Sequence, residues 1–207
     1  MKSVKIILFT CFVSLFMIFT ELEAEAHAPD LHVGSAGQEV TELQTTLKKL
    51  GYFQTGVTGY YGSITKQAVI EFQKDFGVRG TGFAGPATRS KLGEVKMMAH
   101  VVHGEARGEI FEGQVAVAAV MLNRVRASEF PNSVERVVFQ RNAFTAVNDR
   151  QYWLAPNASA YRAVKEAVNG RDPSRGATYY YNPSGVTDTW IFSRSVIKRI
   201  GKHTFAN

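Results

Sequence analysis

Glu105, Glu109 and Glu112 fall within the stretch His100 to Arg126, HVVHGEARGEIFEGQVAVAAVMLNRVR, and Glu105 is the one framed for chemistry. It stands between Gly104 and the Ala106-Arg107-Gly108 turn, where small residues let a ligand come close to the backbone. The following segment, Val115 to Leu122, is apolar on nearly every face, and a helix of that kind is buried. A carboxyl group set against such a dry interior keeps its proton to higher pH, as a general acid must. The same glutamates could instead form a solvated acidic turn that favours the positive end of the helix dipole. Residue types alone leave both readings open.

A carboxylate pair is the usual equipment for cleaving a glycosidic bond. Glu109 would lie about one helical turn from Glu105, roughly 6 Å away, if the turn is helical. The remaining acids, Glu129, Glu135, Asp149, Glu166, Asp172 and Asp188, stand in no motif. His100 and His103, at i and i+3, could surround a metal with His203 and Glu105, but the spacing matches neither HExxH nor its relatives. No metal and no cofactor is expected. Flat aromatics with polar tips suit sugar rings, and Tyr152, Trp153, Tyr179 to Tyr181 and Trp190 supply them, although packing would claim at least half of these.

The elements that must position these groups begin after a leader. Lys2 and Lys5 precede the apolar run Ile6 to Phe19, and Ala24-Glu25-Ala26 has the small-x-small form of a signal-peptidase site, so residues 1–26 are expected to be removed. The run is short of the ~20 residues that span a bilayer, so contact with a membrane is expected only through an uncleaved leader. The single cysteine, Cys11, lies inside it, which leaves the exported part to be held by packing rather than disulfides. With 45% apolar and 20% charged residues the composition is that of an ordinary globular chain. The net charge of +6 favours an anionic partner. The chain has no helix-turn-helix, zinc-finger or RNP signature, so a carboxylate-bearing wall polymer fits better than nucleic acid.

Val40, Leu43, Leu47 and Leu50 recur at spacings of three and four and predict a helix from Gly37 to Leu50, stopped by Gly51. Thr65 to Phe76 repeats the pattern, and a third short helix opens at Pro86 with Thr88 and Leu92. These predict a small three-helix bundle over residues 32–92. This stretch resembles the peptidoglycan-binding domain type 1 family through Val40, Leu43-Gln44, Leu47, Leu50-Gly51-Tyr52, Gly59 to Gly62, Thr65, Ala68-Val69, Phe72-Gln73, Gly77-Val78, Gly85 and Thr88. The resemblance implies a noncatalytic module that grips peptidoglycan. The apolar positions read as core, and the loop Gly59 to Gly62 is the better candidate for touching polymer.

Almost no linker follows. Leu92-Gly93-Glu94 leads into a second helical segment, Val95 to Val102, so the two domains are expected to be closely coupled. The buried helix then runs from Gly113 to about Ala127. Val134 to Phe139 is a short helix or strand, and Ala158 to Asn169 is a helix. Ala177 to Tyr181 and Thr189 to Phe192 are β-prone runs on either side of Asn182-Pro183-Ser184-Gly185 and are expected to pair as a hairpin.

VVHGEARGEIFEGQVAVAAVMLNRV, AFTAV at 143–147, YYNP at 180–183 and WIFSRSVIKRIGKHTFAN at the end resemble the catalytic domain of the spore cortex-lytic enzyme (SleB) family, also called cell wall hydrolase type 2, across residues 95–207. The resemblance implies an α+β chain, with the bundle followed by a mostly helical, lysozyme-like domain bearing a short β-hairpin. It implies cleavage of peptidoglycan strands in cortex or wall by lytic transglycosylation during germination, with Glu105 as catalyst. A single acid suffices there, because the muramic 6-hydroxyl can attack C1 and leave an anhydro sugar. Candidate substrate contacts in the matching segments are Phe144, Thr145, Tyr180, Tyr181, Asn182 and Trp190. Three departures stand out: the short junction, Ala206 where several members carry cysteine, and a histidine at 103. The rival readings are a zinc-dependent N-acetylmuramoyl-L-alanine amidase and a noncatalytic wall-binding protein. The resemblance also leaves room for an accessory germination protein as a further partner.

Overall fold

The computed structural model describes residues 30–186 and 189–207. The expected leader, residues 1–26, and Asp188 lie outside the described residues. The described chain is mostly helical, with seven α-helices and one three-stranded antiparallel sheet.

The helices are α1 (Gln38–Leu50), α2 (Ser63–Asp75), α3 (Pro86–Ala106), α4 (Phe111–Arg126), α5 (Val134–Val138), α6 (Thr145–Asn148) and α7 (Ala158–Val168). Helix α1 ends where the sequence says it should. Gly51 takes the left-handed conformation at φ 87°, and its N–H caps the carbonyls of Leu47 and Lys48. Val40, Leu43, Leu47, Val69, Phe72 and Leu92, from α1, α2 and the start of α3, are buried together. Two buried amides organise the loops between them in the same way. Gln44 Oε1 accepts from the Thr58 and Gly59 amides at 3.0 Å each, while its Nε2 donates to Tyr60 O and Thr65 Oγ1. Gln73 accepts from the Gly82 amide and donates to Phe83 O and Thr88 Oγ1. Each amide thereby satisfies loop backbone that would otherwise be buried without partners, and each loop leaves one aromatic ring, Tyr60 or Phe83, in solvent.

Helix α3 departs from the sequence reading. Residues 86–92 and 95–102 are one uninterrupted helix that continues to Ala106. Gly93 alone interrupts the pattern, and a single mid-helix glycine costs only about 1 kcal/mol. Burial of Leu92 on one side of it, and of Val95, Met98, Ala99 and Val102 on the other, outweighs that cost. The helix thus begins among α1 and α2 and ends against α4 and α6, with Glu105 in its last turn. Helix α4 is buried on all sides from Gly113 to Met121 and packs against α3, α5 and α7.

The expected hairpin is corrected. Thr189–Ser193 forms a 3-10 turn with no buried residue, whereas β1 (Tyr179–Tyr181) pairs with β3 (His203–Ala206), which also pairs with β2 (Val196–Ile200). The register sets Tyr180 opposite Phe205, whose side chain is fully buried. An exposed 189–192 segment could offer no such burial. The only hairpin among the described strands is therefore β2–β3, closed by Gly201 at φ 57°, and neither strand alternates buried with exposed residues.

Candidate active site

Glu105 is presented by the end of α3, half-buried, at the floor of a cleft of about 510 Å³. Its Oε1 accepts a 2.6 Å hydrogen bond from the Ala146 amide in the first turn of α6, and the Tyr180 hydroxyl is its side-chain hydrogen-bond partner. Burial raises the Glu105 pKa; the Ala146 and Tyr180 bonds pull it back, Asp149 pushes it up, and Arg124 pulls it down. The net shift is upward, so this carboxyl group holds its proton at higher pH than a solvated glutamate.

Gly104 makes the arrangement geometrically possible. A Cβ there would stand 2.5 Å from the Ala146 Cβ, so only glycine lets α6 come close enough for its amide to reach Glu105. Behind them Arg124, in the last turn of α4 and 6% exposed, donates from Nε to Thr178 O at 2.7 Å. Its guanidinium lies 5.0 Å from the Phe144 ring centre and 5.7 Å from that of Tyr179. No carboxylate pairs with it among the described residues, so its charge is felt by Glu105 and Tyr180.

Thr145, Tyr180, Tyr181, Asn182 and Trp190 line the cleft with Glu105, Asn142 and Asn148. Trp190 is held edge-on to Tyr179, with the Arg194 guanidinium 4.2 Å from its ring centre. Phe144, expected among the substrate contacts, is corrected: it is 2% exposed and lies beneath the cleft, between Arg124 and the Tyr180 ring. It precedes α6 in extended conformation, and that conformation turns its side chain into the core while Thr145 faces out.

Glu109 is likewise not disposed as a partner acid. Its Oε2 accepts from the Lys202 amide at 2.9 Å and so anchors the β2–β3 turn. Helix α3 has ended by then, so the one-turn spacing to Glu105 does not hold. Glu105 is the sole carboxylate lining the cleft among the described residues. Asp149 lies close enough to raise the Glu105 pKa, but its own oxygens accept from the Gln151 amide and side chain.

His203 was considered in the sequence only as a metal ligand. It is 7% exposed, lines the cleft from β3, has its ring tilted against that of Tyr180 at 5.1 Å between centres, and its Nδ1 has no hydrogen-bond partner among the described residues. Burial lowers its pKa and so favours the neutral ring, with the Glu109 charge opposing. All four residues of β3 are buried, so no alternation of apolar and polar residues marks the strand in the sequence. His100 instead meets the Tyr152 carbonyl through Nδ1 at 2.6 Å, and among the described residues no three His, Cys, Asp or Glu side chains converge as a metal site.

A half-buried acid of raised pKa lining an open cleft is the arrangement of a general acid at an active site. Family comparison agrees. Residues 36–92 match the putative peptidoglycan-binding domain model and residues 108–206 match the cell wall hydrolase model. The chain is 36% identical to a spore cortex-lytic enzyme of Oceanobacillus iheyensis, over 99% of this chain and 98% of that one. It is 38% identical to a spore cortex-lytic enzyme of Bacillus cereus, covering 83% and 84% of the two chains. Among solved structures it resembles the catalytic domain of the germination-specific lytic transglycosylase SleB from Bacillus anthracis, at 54% identity and TM-score 0.53, over 55% of this chain and 93% of that one. The chain belongs to the spore cortex-lytic enzyme family.

Proposed function

We propose that this protein is a spore cortex-lytic enzyme that cuts the glycan strands of peptidoglycan by lytic transglycosylation during germination, with Glu105 as its acid and base. The carrying observation is that Glu105, with its raised pKa, is the single carboxylate among the described residues lining the cleft. In the reaction the protonated carboxyl gives its proton to the glycosidic oxygen as the C1–O bond of the muramic residue breaks. The muramic 6-hydroxyl bonds to C1 and passes its proton to the carboxylate left behind, which restores the acid. Tethering the nucleophile to the reacting sugar gives it the advantage of intramolecular attack. The Ala146 amide and the Tyr180 hydroxyl hold the carboxylate during the interval in which it is charged. Thr145, Tyr181, Asn182 and Trp190 are the strand contacts in this reading.

The domain reading places a three-helix wall-gripping module at 32–92 and the lytic domain at 95–207. An export signal over residues 1–26 would deliver the chain to the spore envelope or wall, and among the described residues no helix is long and apolar enough to cross a membrane. An accessory germination protein is compatible with this reading.

Mass spectrometry of a peptidoglycan digest, before and after borohydride, is the test. Anhydro ends, lighter by one water and unreactive to borohydride, are expected. Reducible muramic ends would instead make the enzyme a hydrolase, with Asp149 as the residue to examine for water activation. Glu105→Gln should lower turnover by roughly two to four orders of magnitude, the contribution of a general acid, in a folded protein. Near-parental turnover would remove Glu105 from the chemistry.

A further inference from the structure

A second groove, of about 410 Å³, shares no lining residue with the cleft. Both domains build it, with Thr45 and Lys49 from α1, Lys96 and His100 from α3, Trp153 from the 3-10 turn Gln151–Trp153, and Tyr161 from α7. Trp153 is 73% exposed, more than Trp190 in the cleft at 48%. Its ring stands edge-on to Tyr152 at 5.1 Å, and Tyr152 packs on His100 and Phe139. An indole open to solvent beside two lysines offers an apolar face for a sugar ring and cations for a carboxylate. Glu42 is the one acidic residue on the groove wall.

We propose that this groove at the α1–α3 seam is a second peptidoglycan-binding site, shared by both domains, which holds a sugar of the strand on the Trp153 ring and a stem-peptide carboxylate on Lys96 and Lys49. The proposal rests on the peptidoglycan reading above and extends it. The seam does not flex freely, for three reasons. Helix α3 is continuous across it. Lys49 Nζ donates to Pro156 O at 2.9 Å. Lys165 of α7 lies 3.7 Å from Asp75 and 3.7 Å from the Tyr52 ring centre. Lys96 and Glu105 are nine residues apart on the same helix, about 14 Å along its axis, so groove and cleft keep a fixed separation. A strand that reaches both is bound twice at high effective concentration, whereas a short fragment fills the cleft alone.

The test uses the full chain in a Glu105→Gln background, so that polymer is bound and not consumed, with insoluble peptidoglycan sacculi as the sedimentation probe. Trp153→Ala and Lys96→Glu should each weaken sedimentation about tenfold, the effect of losing an anchoring side chain. Trp153→Phe, which keeps a ring on Tyr152, should retain most of the affinity and guards against a folding artefact. In the active enzyme the first two variants should raise KM on long strands, with kcat unchanged, and leave cleavage of the shortest cleavable fragment untouched. Parental sedimentation and KM in either variant would overturn the proposal, as would an equal KM rise on the short fragment. Failure of the lytic reading would show separately, as an active chain that releases no glycan ends while sedimentation still reports on the groove.

Discussion

Gly104→Ala probes the site most directly, because the structure fixes what the new methyl group meets. Its Cβ would lie 2.5 Å from the Ala146 Cβ, where ordinary contacts are 3.4–4 Å, so α6 and α3 must part by about 1 Å. The residue that is struck is also the residue that holds the acid, through the 2.6 Å bond from its amide to Glu105 Oε1. A displacement of about 1 Å takes that bond to or beyond the limit of hydrogen bonding. Stability should fall by about 1–3 kcal/mol, the usual cost of overpacking, and Tm by roughly 2–4 °C for each of those. Turnover should fall about a hundredfold, since misplacement by this distance commonly costs that much. With the Ala146 bond gone and burial unchanged, the Glu105 pKa moves further up, so the pH limb that reports its ionisation should shift to higher pH.

Gly108→Ala is the matched control: nothing lies within 4 Å of a Cβ there. Thermal unfolding by circular dichroism and kcat on soluble glycan, measured for both variants, decide the matter. If Gly104→Ala matches Gly108→Ala in kcat and Tm, the close approach of α6 does not position the acid.

Further outcomes follow from the same geometry. Because burial raises the folded-state pKa of Glu105, the unfolded chain ionises first as pH rises, and native stability is lost between the ordinary glutamate pKa and the folded one. Glu105→Gln should therefore raise Tm at neutral pH, with the gain vanishing in acid below the ordinary glutamate range; a lower Tm at pH 7 would contradict this. Glu109→Gln should keep kcat within about tenfold, below the range of a lost acid-base catalyst, since its carboxylate serves the Lys202 amide. A loss equal to that of Glu105→Gln would restore the paired-acid idea. Arg124→Met leaves the Thr178 carbonyl unpaired and should cost about 1–3 kcal/mol in chemical denaturation.

Legibility in the sequence followed the range of the interactions. Helical spacing carried α1, α2 and α7, and the all-round apolar run carried α4, because both are local signals. Glu105 was readable as a candidate because the glycine beside it and the apolar helix after it both lie in its own stretch. The error at Phe144 came from the same local reading: a one-dimensional pattern does not tell an aromatic ring above a cleft from one beneath it. Pairing of β1 with β3 is set by what Phe205 and His203 can bury across a gap of more than twenty residues, and no local alternation reports that. The seam groove was equally hidden, since Lys49, Lys96 and Trp153 meet only once α3 is seen to be continuous.

The balance at Glu105 explains why the site carries a buried arginine without a carboxylate of its own. Full burial can lift a carboxyl pKa by 3–5 units, and at that extreme the group would stay protonated throughout and could never accept the proton that the attacking hydroxyl must shed. Solvating it instead would leave too little acid at neutral pH. Two hydrogen bonds and the Arg124 charge oppose desolvation without cancelling it, and none of these is a direct ion pair that would lock the carboxylate in its charged form. Arg124 can stay this deep because three aromatic rings, Phe130, Phe144 and Tyr179, and the carbonyls of Ala143 and Thr178 take the place of a counter-ion. In the proposed reaction the acid must lose and regain its proton in each turnover, and a partial counterweight of this kind suits both halves of that cycle.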